Sequence, residues 1–122
     1  MTKARLSKPL QIEDTTFDPH VFRIRQIEAP VLQERNFVPV DGSLDKWEGK
    51  YKGHECTIYF PPLYPVQPLE FYWKRVPRGF HNVVEVNRLC SEQLLYDRRW
   101  TPDTTVETIF EALDTHPYFA GK

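Results

Sequence analysis

The chain has 122 residues, with 16 Lys and Arg against 17 Asp and Glu, so its formal net charge is −1. This length suits one domain, and the balanced charge argues against a dedicated nucleic-acid-binding protein, which usually carries a strong basic excess. No run of 18 apolar residues is present, which predicts a protein without a membrane span. Two cysteines are too few for the disulfide framework of a small secreted domain, so we expect a cytoplasmic protein.

The first elements along the chain are an arm and a helix. Residues 1–17 mix Lys, Thr, Pro and acidic residues without a period, and we interpret them as an N-terminal arm preceding a single domain over 18–122. Asp18 followed by Pro19 is typical of a helix start, because Asp caps the free backbone N–H groups and Pro fits the first helical position.

Apolar residues continue at helical spacing beyond this start, and Glu28 is expected to lie elsewhere on the helical wheel. Pro30 interrupts the pattern, which predicts that the helix is kinked there or ends early. Phe22 and Ile24 also alternate as in a short strand, so a strand stays an alternative for this segment. The apolar positions at helical spacing are Ile24, Ile27, Val31 and Leu32.

Four stretches with strand periodicity follow, over 37–40, 46–51, 54–60 and 69–74. Asp41-Gly42 and Lys52-Gly53 separate the first three, and both pairs are typical of tight hairpin turns. Short connections of this kind predict an antiparallel four-stranded meander. The residues expected to face the core are Trp47, Gly49, Tyr51, His54, Cys56, Ile58, Phe60, Leu69, Phe71 and Trp73.

The last third of the chain predicts a long loop and a helix. Regular periodicity stops over 76–101, and apolar loops of this length are often functional. Thr104 and Glu107 have the spacing of a capping box, and Thr115-His116-Pro117 predicts the end of the helix. Together the elements predict an α+β fold. The stripe of this second helix is Val106, Ile109, Phe110 and Leu113.

An ordered set of motifs lies between the third strand and the second helix. Phe60-Pro61-Pro62-Leu63-Tyr64-Pro65-Val66-Gln67-Pro68 predicts a rigid, proline-rich turn. Asn82 lies eight residues before Cys90, and Cys90 lies ten residues before Trp100-Thr101-Pro102. In order and in the Asn-to-Cys interval, this set resembles the ubiquitin-conjugating enzyme family.

The resemblance implies a fold and a set of partners. It implies an N-terminal helix, a four-stranded antiparallel meander, an active-site loop and a C-terminal helix, without the family's last two helices. The implied partners are a ubiquitin-like modifier, an activating enzyme, the lysines of target proteins and, where one is used, a ligase. No metal, small cofactor, nucleic acid or membrane is expected. A short, divergent member of this kind resembles those of bacterial ubiquitin-like conjugation systems.

The resemblance also implies roles for particular residues. Cys90 takes the position of the cysteine that carries the modifier as a thioester, and Asn82 that of the asparagine which donates to the oxyanion or holds the loop. The chain reads Phe80-His81-Asn82 where the family has His-Pro-Asn, so the loop lacks the family's rigid proline. Supporting roles fall to His81, Glu92 and Trp100, and partner docking to Val66 and Pro102.

Several of these residues have a purely structural alternative role. A free cysteine is among the most buried residue types, so the alternative for Cys90 is a buried thiol without a catalytic role. The alternative for the whole chain is a non-catalytic binding module for ubiquitin-like proteins or for a conjugation partner. Cys56 falls in the inward set of a strand and is expected to be a core residue. His54 and His116 have no Cys or His partner at zinc spacing, so no metal site is predicted.

Overall fold

The computed structural model describes residues 18–84, 87–90, 94–95 and 100–120, so the predicted arm over 1–17 lies outside the described residues. The described part confirms the α+β class, since an antiparallel sheet is combined with helices from both ends of the chain.

The N-terminal helix runs over three consecutive segments: α1 (Pro19–Arg23), a π-helical turn (Ile24–Glu28) and α2 (Ala29–Glu34). The predicted start is confirmed, because the Asp18 carboxylate accepts the His20 N–H at 3.0 Å. The strand alternative is wrong. An early end at Pro30 is also wrong, because the helix continues through Pro30 as far as Glu34.

Two residues of the π-helical turn face differently from the prediction. Ile27, predicted to face inward, is 43% exposed, whereas Glu28, predicted to lie elsewhere, is 0% exposed. The π turn holds an extra residue, because the Ala29 N–H bonds to the Ile24 carbonyl five residues back. Glu28 lies four residues from both Ile24 and Leu32, and residues at this spacing share one face of a helix, so its burial agrees with ordinary helical spacing and the expectation was wrong.

The first four strands form the predicted meander, and two further strands extend it. A two-residue turn joins β2 to β3, whereas β1–β2 and β3–β4 are joined by longer connections over 40–45 and 60–69. The order in the sheet is β1-β2-β3-β4-β6-β5, antiparallel throughout. The last two strands correct the expectation that 76–101 is irregular. The strands are β1 (Val38–Pro39), β2 (Lys46–Tyr51), β3 (His54–Tyr59), β4 (Glu70–Trp73), β5 (Val83–Val84) and β6 (Arg88–Leu89).

Left-handed backbone conformations make the predicted turns. Lys52 and Gly53 have φ of 47° and 85° and join β2 directly to β3, with Tyr51 opposite His54. Asp41 and Gly42 also have positive φ, within a longer connection that includes a 3₁₀ turn. The expected inward residues of β2, β3 and β4 are buried, apart from the half-buried Gly49 and His54.

The C-terminal helix α3 (Val106–Thr115) buries its predicted stripe completely and is followed by a short helix, α4 (Pro117–Ala120). The predicted capping box was placed one residue too early. Thr105 is the N-cap, and its N–H bonds to the Thr108 hydroxyl at 3.3 Å. Thr104 instead closes the preceding turn, because its hydroxyl accepts the Thr101 N–H at 3.1 Å.

A buried carboxylate joins these helices to the proline-rich turn. Glu28 accepts the Arg23 Nε–H at 2.9 Å, the Val106 N–H at 3.0 Å and the hydroxyl of Tyr64. Arg23 in turn donates to the Pro102 carbonyl at 2.6 Å. We call Arg23, Glu28, Tyr64 and Val106 the Glu28 clasp. Within it, burial, followed by the Glu28 carboxylate, raises the pKa of Tyr64 well above its usual value, so Tyr64 stays a donor.

We expect Gly49→Ala to destabilise the fold by about 1–3 kcal/mol. A Cβ at this position would lie 2.5 Å from the Phe37 ring, closer than real Cβ contacts. The entropic gain of replacing glycine is only about 0.4–1 kcal/mol, so the clash outweighs it. Urea denaturation measures the change, with the exposed neighbour Glu48→Ala as the control. Equal midpoints for the two variants would contradict this packing.

We expect Glu28→Ala to lower the free energy of unfolding by about 3–5 kcal/mol, the usual effect of removing one partner from a buried ion pair. The change leaves the guanidinium of Arg23, whose side chain is 14% exposed, without its carboxylate and the Val106 N–H without its acceptor. Glu34→Ala, at an exposed position of the same helical region, is the matched control and should shift the denaturation midpoint little. Similar losses in the two variants would argue against the clasp.

Candidate functional site

The pairing of β5 with β6 brings the two central candidate residues together. Val83 lies opposite Leu89 in this pair, and the next position of the same register places Asn82 opposite Cys90. The Cys90 N–H donates to the Asn82 carbonyl at 2.8 Å, which continues the ladder by one residue. Opposed residues of an antiparallel pair project from the same face, with Cβ atoms about 4.5–5.5 Å apart. The structure therefore makes Asn82 and Cys90 neighbours.

Cys90 borders a groove of ≈ 350 Å³ beside the ends of β4 and β6. Cys90 is 8% exposed. Charged side chains of both signs, Glu70 and Arg88, border the same space. On the strand side the groove is lined by Leu69, Glu70, Val84, Arg88, Leu89 and Cys90.

The second cysteine, Cys56, also borders a groove, of ≈ 830 Å³. Cys56 lies on β3, 3% exposed, and is a core residue as predicted. Burial raises the pKa of the Cys56 thiol to about 12, with a smaller opposing effect from a backbone hydrogen bond of Tyr51. At neutral pH Cys56 is therefore a thiol and a poor nucleophile, since the thiolate is the reactive form.

Two predicted supporting residues lie in the described part of the chain, and the third, Glu92, lies outside the described residues. His81 immediately precedes Asn82 and is exposed. Trp100 donates its indole N–H to the Pro65 carbonyl at 2.8 Å, and its ring packs against that of Tyr64 at 5.8 Å. Trp100 thus supports the proline-rich turn.

The two predicted docking positions are both on the surface. Val66 is 75% exposed in the proline-rich turn, beside the exposed Leu63. Pro102 is exposed, and its carbonyl accepts the hydrogen bond from Arg23. The hydrogen bond from Trp100 holds the backbone beside Val66, and the hydrogen bond from Arg23 holds the backbone at Pro102. Both exposed apolar side chains therefore lie on a restrained backbone.

His116 is a residue of the site that the sequence analysis missed. Its Nε2 lies 2.7 Å from the Asn82 Oδ1, and its Nδ1 accepts the Tyr118 N–H at 3.0 Å. In the sequence, His116 belongs to the predicted end of a helix and has no Cys or His partner at zinc spacing. Neither observation indicates a role at this site. Asn82 lies 34 residues away, and no spacing rule connects residues so distant.

Neither a metal cluster nor a membrane span is found in the part of the chain that the structure describes. Within residues 18–84, 87–90, 94–95 and 100–120, no three His, Cys, Asp or Glu side chains are grouped so as to hold a metal ion. No helix of those same residues has both the length and the apolar character needed to cross a bilayer.

Comparison of the chain with protein-family models, with curated proteins and with solved structures gives no significant match. A function for this chain must therefore be argued from its own residues and their arrangement.

Proposed function

We propose that the chain is a ubiquitin-like-protein conjugating enzyme that carries its modifier as a thioester on Cys90. The observation that carries the proposal is the pairing of Asn82 with Cys90 across the β5–β6 ladder. The order of helix, meander, loop and helix supports a divergent ubiquitin-conjugating fold, in agreement with the motifs of the sequence.

The proposed reaction is two successive acyl transfers. In the first, the Cys90 thiolate attacks the carbonyl carbon of a modifier held as a thioester on an activating enzyme, which has used ATP to form it. The new bond joins the Cys90 Sγ to that carbon, and the activating enzyme's cysteine leaves as a thiolate. In the second, a lysine amine attacks the same carbon, the Cys90 thiolate leaves, and the amine proton passes to water.

Asn82 is the proposed electrostatic partner of the second transfer. Attack by an amine creates an oxyanion on the former carbonyl oxygen, and a side-chain amide beside Cys90 can donate to it. Removing one such donor typically lowers the rate by about 10²–10³. The groove that Cys90 borders is the proposed route by which the carbonyl reaches the sulfur.

The partners and setting follow from this reaction. The chain would meet an activating enzyme and a modifier, and would pass the modifier to a lysine amine of a target protein or to a ligase. The exposed segments at Val66 and Pro102 are the proposed docking surface for such partners. We place the reaction in the cytoplasm, where a free thiol stays reduced.

A second candidate function is a non-catalytic binding module for ubiquitin-like proteins. The low exposure of Cys90, 8%, favours it, because a thiol that never leaves its pocket cannot accept an acyl group. The two candidates differ in whether the Cys90 sulfur reacts in the folded protein.

Alkylation with iodoacetamide tests that difference. For the conjugating enzyme we expect the folded protein to gain one carbamidomethyl group at neutral pH, measured by intact mass. Cys56→Ala should leave this modification unchanged, because burial already keeps Cys56 protonated. Cys90→Ala should abolish it. An unreactive folded protein that gains two groups on denaturation would favour the binding module.

A charging assay tests the proposed enzyme directly. The chain is incubated with ATP and with ubiquitin or one of a panel of ubiquitin-like proteins, each with its own activating enzyme. We expect at least one of these modifiers to form an adduct with the chain that dithiothreitol cleaves. Cys90→Ser should give an ester that resists dithiothreitol, and Cys56→Ala should charge like the wild type. Asn82→Ala should charge normally but discharge to free lysine about 10²-fold more slowly. An adduct that persists in Cys90→Ala, or no adduct with any modifier, would overturn the proposal.

A further inference from the structure

His116 lies between the end of α3 and the start of α4 and contacts the segment that leads to the candidate site. Its imidazole is half-buried, with the Phe80 ring centroid at 5.2 Å and the Phe119 centroid at 6.5 Å. Each ring nitrogen has one described hydrogen-bond partner: Asn82 at Nε2 and the Tyr118 backbone at Nδ1.

The hydrogen bonds of His116 determine its tautomer. A backbone N–H is always a donor, so the Nδ1 that receives the Tyr118 N–H carries no proton. In the neutral ring the proton is then on Nε2, which donates to the Asn82 Oδ1 at 2.7 Å. Because an imidazole N–H needs an acceptor, this contact also fixes which end of the Asn82 amide faces His116.

The segment that holds His116 is itself anchored to the same loop. The Tyr118 hydroxyl donates to the Arg78 carbonyl at 2.6 Å, just before Phe80. Phe80 is buried and packs edge-on against Tyr118 at 5.6 Å. Besides the His116–Asn82 contact, a hydrogen bond and a ring contact therefore join the segment after His116 to the segment before Asn82.

We infer that His116 is a positioning residue that sets the orientation of the Asn82 amide for thioester discharge at Cys90, an inference that rests on the proposed function. With Oδ1 held by the His116 Nε2–H, the Nδ2 donor of Asn82 is directed to the opposite side of the amide. The Asn82 carbonyl meanwhile holds the Cys90 N–H. Asn82 is thus fixed at its backbone by Cys90 and at its side chain by His116.

The first test is spectroscopic and needs no activity. Nitrogen-15 NMR of the folded protein at neutral pH should show His116 as the Nε2–H tautomer. His116→Leu should shift the Asn82 side-chain NH₂ resonances. His54→Gln is the matched control, because His54 also packs against Phe119, at 6.3 Å, and its change should leave those resonances in place. An Nδ1–H tautomer, an imidazolium, or unmoved Asn82 resonances would overturn the inference.

The second test separates charging from discharge. His116→Leu should charge Cys90 at nearly the wild-type rate but discharge to free lysine about tenfold more slowly, part of the 10²–10³ that a whole oxyanion donor contributes. His116→Gln keeps an N–H donor and should recover part of the loss. The double variant with Asn82→Ala should be no slower than Asn82→Ala alone, because both changes remove one interaction.

The outcomes distinguish this inference from the proposed function. Wild-type discharge in His116→Leu, or full additivity with Asn82→Ala, would overturn the positioning role while leaving the enzyme intact. A wild-type chain that never charges would overturn the proposed function, and the positioning role for discharge with it. The NMR result would then still decide whether His116 orients Asn82. If His116→Leu fails to fold, His116→Gln and the wild-type tautomer provide the comparison.

Discussion

A carboxylate taken entirely out of water has to find its partners inside the protein, and Glu28 finds them in the nearby Arg23 and in two distant parts of the chain. Tyr64 in the proline-rich turn and the Val106 N–H at the start of α3 lie 36 and 78 residues away. Arg23 adds a bond to the Pro102 carbonyl. One buried charge thereby sets the N-terminal helix, the proline-rich turn and the entry to α3 relative to one another. The candidate site lies between the last two of these along the chain.

The opposite end of α3 supplies a second anchor of a different chemical kind. There the contacts are mainly between rings, with Phe80 and Phe119 at 5.6 Å, and His116 adds a directed hydrogen bond to Asn82. Ring packing restricts where the loop lies but tolerates small rotations of a side chain. A hydrogen bond specifies which atom faces which, so the two kinds of contact restrict position and orientation separately.

Local patterns predicted the parts of this structure that local rules govern. The alternation of β2, β3 and β4 and the stripe of α3 were correct because burial follows the period of each element. The N-terminal helix was predicted less well, because Ile27 lies outward at the π-helical turn and Glu28, at four-residue spacing from Ile24, lies in the core. The short strands β5 and β6 hold too few residues to show a period. His116 contacts Asn82 only through the tertiary fold, so no local sequence pattern predicts this contact.

Asn82 is preceded by Phe80-His81, without a proline to stiffen the backbone there. A proline restricts a loop through its own backbone, independent of distant contacts. Here the restriction comes from the chain after α3, through the Tyr118 hydroxyl on the Arg78 carbonyl and the burial of Phe80. Because that restriction is tertiary, the geometry of Asn82 depends on the packing of α4. The Tyr118 hydroxyl and the rings of Phe80 and Phe119 thus connect the segment that precedes the candidate site to α4.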